Sequence, residues 1–346
     1  MVTPSSTLVD EPTTFWFDGK PYEPNNYHAA SYGTVSLRQA LSKSMNIPTV
    51  KLAEAVGYDK VMQVAKQAGM GSALRATPAI ALGAYEVTPI EAAGAYTVYA
   101  NRGQFSKPFW VQTIRDSTGQ HVFDAKPARK QVLDPRVNYL MVNLLEEVVH
   151  TGTGAGIRSR GFGLPAAGKT GTSHDGWFAG FTSKLVCVVW VGFDDNSELD
   201  LEGAQSALPI WTEFMKRAHT HRAYKAVAPF DAPDGIVSVS VDPATGQLAT
   251  PACPNPRAEV FITGSQPLDT CRLHGGGRSL AQVSGWDGPD PAPRPEDPQQ
   301  VRRPSRTSVR IDSKKPPKSG EPGATRDDPA KEEKKGFFGR IKDIFK

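Results

Sequence analysis

Gly163-Leu164-Pro165-Ala166-Ala167-Gly168-Lys169-Thr170 matches the phosphate-binding pattern GxxxxGK[ST]. That chemistry needs a buried strand before the loop and a helix after it, so that backbone N–H groups and the helix N-terminus can hold phosphate. Neither is readable here. Upstream, 152–163 is polar and glycine-rich; downstream, Gly171-Thr172-Ser173 leads into strand-like residues. The same residues have a second reading from Lys169 onward. Lys169-Thr170-Gly171-Thr172 places an ammonium and two hydroxyls around a glycine, just ahead of strand-like residues. Ser44-Met45-Asn46 is another polar triplet, in a break between two helical stretches. By residue type alone it reads as an ordinary helix–helix turn with an Asn C-cap. Other catalytic sets are poor. There is no GxSxG and no HExxH. Ser173-His174-Asp175 are adjacent, and adjacent residues cannot line up head to tail as a triad. Asp175 is expected to position the neighbouring loop or to be solvated. Asp194-Asp195-Asn196 and Glu198 lack the spacing of a calcium loop and read as a strand-end turn.

The elements that must position these residues follow from periodicity and caps. Ser36 is a cap for a helix with Leu37, Ala40 and Leu41 on one face. Pro48 suits the first turn of the next helix, which stops at Gly57. A third helix spans Tyr58 to Gly69. Thr88 and Glu91 form a capping-box pair for a fourth, and Pro135 opens a fifth. Phe109–Ile114 and His121–Phe123 predict a hairpin. Trp177–Thr182 and Leu185–Phe193 predict strands, the second apolar on both faces and therefore expected at the centre of its sheet. Leu208–Ala218 is a closing helix. Residues 1–30, with four prolines, read as irregular. The order of elements predicts an α+β layered domain. Ile236–Val241 and Glu259–Thr263 are strands of a small β-rich appendage. From Asp287 to Ala330, ten prolines and almost no large apolar residue predict a disordered linker.

Composition sets outer limits. The chain has 346 residues, and from Trp286 onward it carries 15 Lys and Arg against 11 Asp and Glu, the whole of the net charge of +4. A neutral body argues against nucleic acid as a partner. No run of 18 apolar residues reads as a membrane span, and the first eleven residues lack the basic and apolar regions of a signal peptide. Three cysteines exclude a disulfide-dense scaffold, and no CxxC or Cys/His cluster offers a zinc site, so no metal is expected; an organic cofactor is not implied either. Cys187, mid-strand, is expected to be a buried core thiol. Cys253 and Cys271 are open to two states: a disulfide worth about 3 kcal/mol in an exported chain, or free thiols in the cytosol. The end, Lys334–Lys346, is basic, with Phe337, Phe338, Ile341, Ile344 and Phe345 on one helical face. It could rest on an anionic membrane surface, or fray as a soluble tail.

In combination and in order, several stretches resemble one family. They are Asn26-Tyr27, the run from Tyr32 to Val50 that contains Ser44-Met45-Asn46, Ala167-Gly168-Lys169-Thr170-Gly171-Thr172, Trp177-Phe178-Ala179-Gly180-Phe181 and Val189-Trp190-Val191-Gly192. Over roughly 15–275 the chain resembles the transpeptidase domain of class A, bifunctional penicillin-binding proteins. The resemblance implies the serine β-lactamase/transpeptidase fold, an antiparallel sheet with helices, divided as 1–221 for a partial transpeptidase domain, 222–285 for the appendage and 286–346 for the linker and tail. It implies cross-linking of peptidoglycan stem peptides through an acyl-serine, with β-lactams as acylating ligands, at the periplasmic or extracellular face of the membrane. Ser44 would move a proton to the leaving amine and Asn46 would bond a substrate amide. Lys169, Thr170, Gly171 and Thr172 would bind the substrate carboxylate, the Thr172 N–H lining the oxyanion site.

One departure stands out. The family nucleophile lies in Ser-x-x-Lys, and no lysine of this chain has a serine three residues before it. The expectation is a piece beginning after the nucleophile helix: a truncated gene, a misassigned start or a true pseudoenzyme. The alternative function is a noncatalytic peptidoglycan- or partner-binding module on the same fold.

Overall fold

The computed structural model describes residues 2–71 and 73–274. The linker and basic tail expected over 286–346, and the last residues of the appendage, lie outside them.

Four short strands open the described chain: β1 (Thr7–Asp10), β2 (Phe15–Phe17), β3 (Lys20–Tyr22) and β4 (Gly33–Ser36). β1 pairs antiparallel with β4, and β2 with β3. The irregular reading of 1–30 is corrected here. Pro21 sits opposite Trp16 in a two-stranded ribbon, where both strands are edges and a missing N–H is tolerated. The turn between them is Asp18-Gly19, both at positive φ (51° and 72°), the conformation a two-residue hairpin requires. Of the aromatics here, Phe15 is buried, while Trp16 and Tyr27 are exposed.

The helices follow the caps. Ser36 Oγ accepts from the Gln39 amide at the start of α1 (Leu37–Ser42). α2 (Asn46–Val56) ends at Gly57, and α3 (Tyr58–Gln67) follows. Thr88 and Glu91 form the reciprocal capping box of α4 (Pro89–Ala100). Strands β5 (Gln104–Ser106), β6 (Thr113–Arg115), β7 (His121–Asp124) and β8 (Arg129–Gln131) form two peripheral ladders, β5 with β8 and β6 with β7. α5 (Pro135–His150) and the single turn α6 (Gly156–Ser159) lead into the main sheet.

That sheet is β9 (Ala167–Thr172), β10 (Gly176–Phe181) and β11 (Val186–Val191), antiparallel in the order β11-β10-β9. α7 (Ala207–Ala218) covers one face: Leu208, Trp211 and Met215 meet Phe178, with Cys187, Val189 and Val191 packed alongside. The other face carries Ala167 and Phe181, with Val186 alongside, against Val142 and Leu145 of α5 and Tyr96 and Tyr99 of α4. Trp211 is fully buried, and its Nε1 donates to the Cys187 carbonyl at 3.0 Å. A Cβ on Gly180 would come within 3.0 Å of the Trp211 ring, so glycine there lets helix and sheet close. β11 was expected at the sheet centre, but among the described residues it is an edge and β10 is central. Its two apolar faces report a helix layer above and below, not a strand on each side. Cys187 lies in this packing, where burial pushes its thiol up to about 11. Among the described residues no helix is long and apolar enough to cross a membrane.

A final hairpin, β12 (Ile236–Val241) with β13 (Arg257–Ile262), packs through β13 on α5. Arg38 of α1 and Glu259 of β13 form a buried ion pair at this contact.

Candidate active site

Ser44 lies where α1 hands over to α2. The Met45 amide donates to the Ala40 carbonyl at 2.8 Å and the Ser44 amide to the Leu41 carbonyl at 3.1 Å. This is the paired bonding of a Schellman helix end, with Met45 buried against Ala40 and Val35. The left-handed position in that motif favours glycine, yet Ser44 occupies it at φ 57°. A non-glycine residue there costs of order 1–3 kcal/mol, and the cost leaves the hydroxyl projecting from the turn.

The helix that begins at Asn46 is held from outside. Asn26 Oδ1 accepts from the backbone amides of Asn46 (2.8 Å) and Ile47 (3.2 Å). Asn26 is buried, and its Nδ2 donates to both carboxylate oxygens of buried Asp10 and to the Ala30 carbonyl. The Asn46 side chain itself donates to the Asn25 carbonyl at 2.6 Å. Sequence reasoning did not assign the capping role of Asn26, or the part of Asp10 in holding it. No local signal could have found it, because cap and helix are twenty positions apart.

Lys169 reaches this turn from β9. Its Nζ donates to Ser44 Oγ at 2.7 Å, across 125 positions of sequence, and to the Thr170 carbonyl at 2.8 Å. Burial lowers its pKa to about 8. The other residues of the stretch are divided. Thr170 is buried and shares a 2.6 Å hydrogen bond with Thr153 Oγ1. The Thr153 amide in turn donates to the Ser42 carbonyl, tying the α5–α6 turn to the end of α1. Gly171 lies opposite Trp177 in the ladder, and a Cβ there would come 3.1 Å from the Trp177 Cβ. Thr172 is exposed, and its Oγ1 accepts from the Gly203 amide at 3.0 Å. Lys169 and Ser44 thus meet where β9 passes the α1–α2 turn, and Asn46 follows two residues on, at the start of α2.

The remaining candidates separate from this junction. Gly168-Lys169-Thr170 lies within a strand that is followed by another strand, so the phosphate-loop context is absent. Ser173 Oγ donates to Asp175 Oδ1 (2.9 Å), while Asp175 Oδ2 accepts from Trp190 Nε1 (2.5 Å). This carboxylate therefore fixes the β9–β10 turn against β11 and belongs to no triad. Asp195 accepts from Ser197 in a turn after β11. Cys253 and Cys271, open to two states from sequence, come together: both sulfurs contact one carboxylate oxygen of Asp242. The absence of a Cys/His cluster is corrected at the same place, because His274 joins them. The signal was Cys271-Arg272-Leu273-His274, half of a metal-ligand spacing.

With this geometry in hand, residues 1–216 match the family model described as penicillin binding protein transpeptidase domain. The chain belongs to this family. Residues 232–276 match a second model, penicillin-binding protein 1A, C-terminal domain. The chain is similar to penicillin-binding protein 1A of Aquifex aeolicus, 36% identical over 273 residues, covering 77% of this chain and 37% of that protein. In structure it is similar to penicillin-binding protein 1A of Haemophilus influenzae, with TM-score 0.71 and 29% identity over 78% of this chain and 46% of that one. The PonA1 protein of Mycobacterium tuberculosis, solved in complex with penicillin V, shares the fold at TM-score 0.56 and 24% identity, over 67% of this chain and 66% of that one. The chain spans 37 to 40% of the length of the first two curated relatives it matches. The fold is the mixed α+β fold of penicillin-binding transpeptidases.

Proposed function

We propose that the junction of the α1–α2 turn and β9 is the substrate-binding half of a D,D-transpeptidase site of peptidoglycan synthesis, on the periplasmic or extracellular side of the membrane. The single observation that carries this reading is the hydrogen bond from Lys169 to Ser44, which joins a Ser-x-Asn turn to a Lys-Thr-Gly strand. Protonated Lys169 attracts the C-terminal carboxylate of a stem peptide or the carboxylate of a β-lactam, and Thr170 and Thr172 bond the same group. Asn46 bonds the substrate amide. The Thr172 N–H stabilises charge on the attacked carbonyl oxygen. Ser44, linked to Lys169, passes a proton to the departing amine.

The attacking serine of the family belongs to Ser-x-x-Lys, a motif these 346 residues do not contain. That observation favours a second reading of the chain taken alone, a module that binds stem peptides or a protein partner without chemistry. Both readings share the junction and differ in whether acylation returns when the motif is supplied. On either, the purified chain will form no covalent adduct with a fluorescent penicillin. A stoichiometric, denaturation-resistant label would show that another serine acts as nucleophile and would overturn this assignment of roles.

A pH dependence follows from Lys169. Its folded pKa lies below the ordinary lysine value, so the ammonium is present below about 8 and lost above it. The ligand carboxylate stays ionised throughout. Reversible penicillin binding is therefore expected to be level through neutral pH and to weaken on the order of tenfold for each unit above the lysine pKa. Lys169→Met should bind weakly and with a flat profile; a wild-type profile without a break near that pKa would remove Lys169 from the binding step.

A further inference from the structure

At the end of the appendage hairpin, four side chains of metal-ligating type converge: Asp242, directly after β12, with Cys253, Cys271 and His274. Their ligand atoms all lie within 4.8 Å of one another. Asp242 Oδ2 is the common point. It lies 2.8 Å from Cys271 Sγ, 3.5 Å from Cys253 Sγ and 2.5 Å from His274 Nδ1, and Cys271 Sγ is 3.6 Å from that nitrogen. We propose that Asp242, Cys253, Cys271 and His274 form a four-coordinate structural site for zinc.

Three observations support it besides the convergence. First, the distances suit the ion. Zinc bonds of roughly 2.0–2.3 Å in a tetrahedron put neighbouring ligand atoms about 3.3–3.8 Å apart. Two of the separations already fall there, and the shorter pair need open by less than about 1 Å to reach it. Second, the ligands are oriented by groups that favour their metal-binding forms. The Thr250 amide donates to Cys253 Sγ (3.2 Å) and the His274 amide to Cys271 Sγ (3.3 Å), bonds that stabilise thiolates. The Ala244 amide holds the other oxygen of Asp242 at 2.9 Å, leaving Oδ2 turned to the cluster. Asp242, Cys253 and Cys271 are buried, while His274 is partly exposed at the mouth and gives an ion a way in.

Third, the appendage needs a staple. It has one two-stranded hairpin, and of the hydrophobic residues of 232–274 only Val241, Phe261 and the two cysteines are buried. A unit this small, short of its own core, usually depends on a disulfide or a metal. The four ligands come from three separate segments, so one ion would tie both loops to the end of β12. A disulfide would use the two sulfurs but would leave Asp242 and His274 meeting at the same point without a role. Two thiolates with an imidazole select zinc over calcium or magnesium.

The test is elemental analysis of the full chain purified without chelator, followed by cobalt titration after the metal is stripped. The expected result is one zinc per chain, and on cobalt binding the charge-transfer band of thiolate–cobalt bonds with the visible bands of a tetrahedral ion. Cys253→Ser and Cys271→Ser should lose these bands, whereas Cys187→Ser should keep them. Because the cysteine variants could fail to fold, His274→Ala provides a second arm at the exposed edge. It should keep the circular dichroism of the native chain and bind zinc at least ~100-fold more weakly. Either of two results would overturn the site: a Cys253–Cys271 disulfide in the non-reduced chain with no zinc, or zinc affinity unchanged in His274→Ala.

Discussion

With an upstream Ser-x-x-Lys segment fused before Met1, β-lactam acylation is expected to return, and Lys169→Ala to slow it about ten- to 150-fold. The range is the roughly 1.5–3 kcal/mol of a charge-assisted hydrogen bond, lost in full at the transition state. Lys169 would lose two roles at once, the attraction of the ligand carboxylate and the bond to Ser44 Oγ. Lys184 provides the control. It is exposed in the turn between β10 and β11, outside the motif, and Lys184→Ala is expected to leave the rate unchanged. Equal slowing by both variants would remove β9 as the substrate-binding strand and would weaken the Ser44 and Asn46 roles with it. Failure of acylation to return at all would instead favour the noncatalytic binding module.

The second large effect is on stability and concerns Arg38. Its guanidinium donates through Nε to Glu259 Oε2 (2.7 Å), through Nη2 to Glu259 Oε1 and Asn143 Oδ1 (2.6 Å), and through Nη1 to the Asn143 carbonyl (3.2 Å). Glu259 is 3% exposed and Arg38 4%. Arg38→Met therefore leaves a carboxylate buried without its cation, a change that costs about 3–5 kcal/mol. Arg38→Met with Glu259→Leu removes both charges and should recover much of the loss, since a buried pair and an apolar replacement of similar volume are close in free energy. Urea melts of the three chains decide. A single variant within about 1 kcal/mol of wild type would mean the pair is solvated, as exposed ion pairs are. The pair joins α1, which leads directly into the Ser44 turn, to β13 of the appendage. Loosening it should therefore also be felt at that turn.

The parts of this molecule legible in sequence are those set by local chemistry. Ser36, Thr88 with Glu91, and Pro135 mark helix starts through groups within three residues, and the helices begin there. The polar triplet and the Lys-Thr-Gly stretch were found through their order and their resemblance to a family. Nothing in their spacing along the chain predicts that Lys169 touches Ser44. The N-terminal strands were missed because prolines outweighed an Asp-Gly turn at Asp18-Gly19, a strong hairpin signal. β11 was misplaced because an apolar strand looks the same whether strands or helices cover it. Nothing local marks Arg38 and Glu259 as partners: they are 221 positions apart, and the packing of β13 on α5 brings them together. The Asp242, Cys253, Cys271 and His274 cluster was missed for a related reason. Its members are brought together by the β12–β13 hairpin and the segments around it, and only Cys271 with His274 carried a local spacing.

The most direct test of the central claim is an amide NMR titration of the unaltered chain with penicillin at neutral pH, with intact mass recorded at the end. The account predicts reversible shift changes centred on Ser44, Asn46 and Lys169–Thr172, with the mass unchanged. Shift changes centred elsewhere, or a chain heavier by one opened β-lactam, would contradict it.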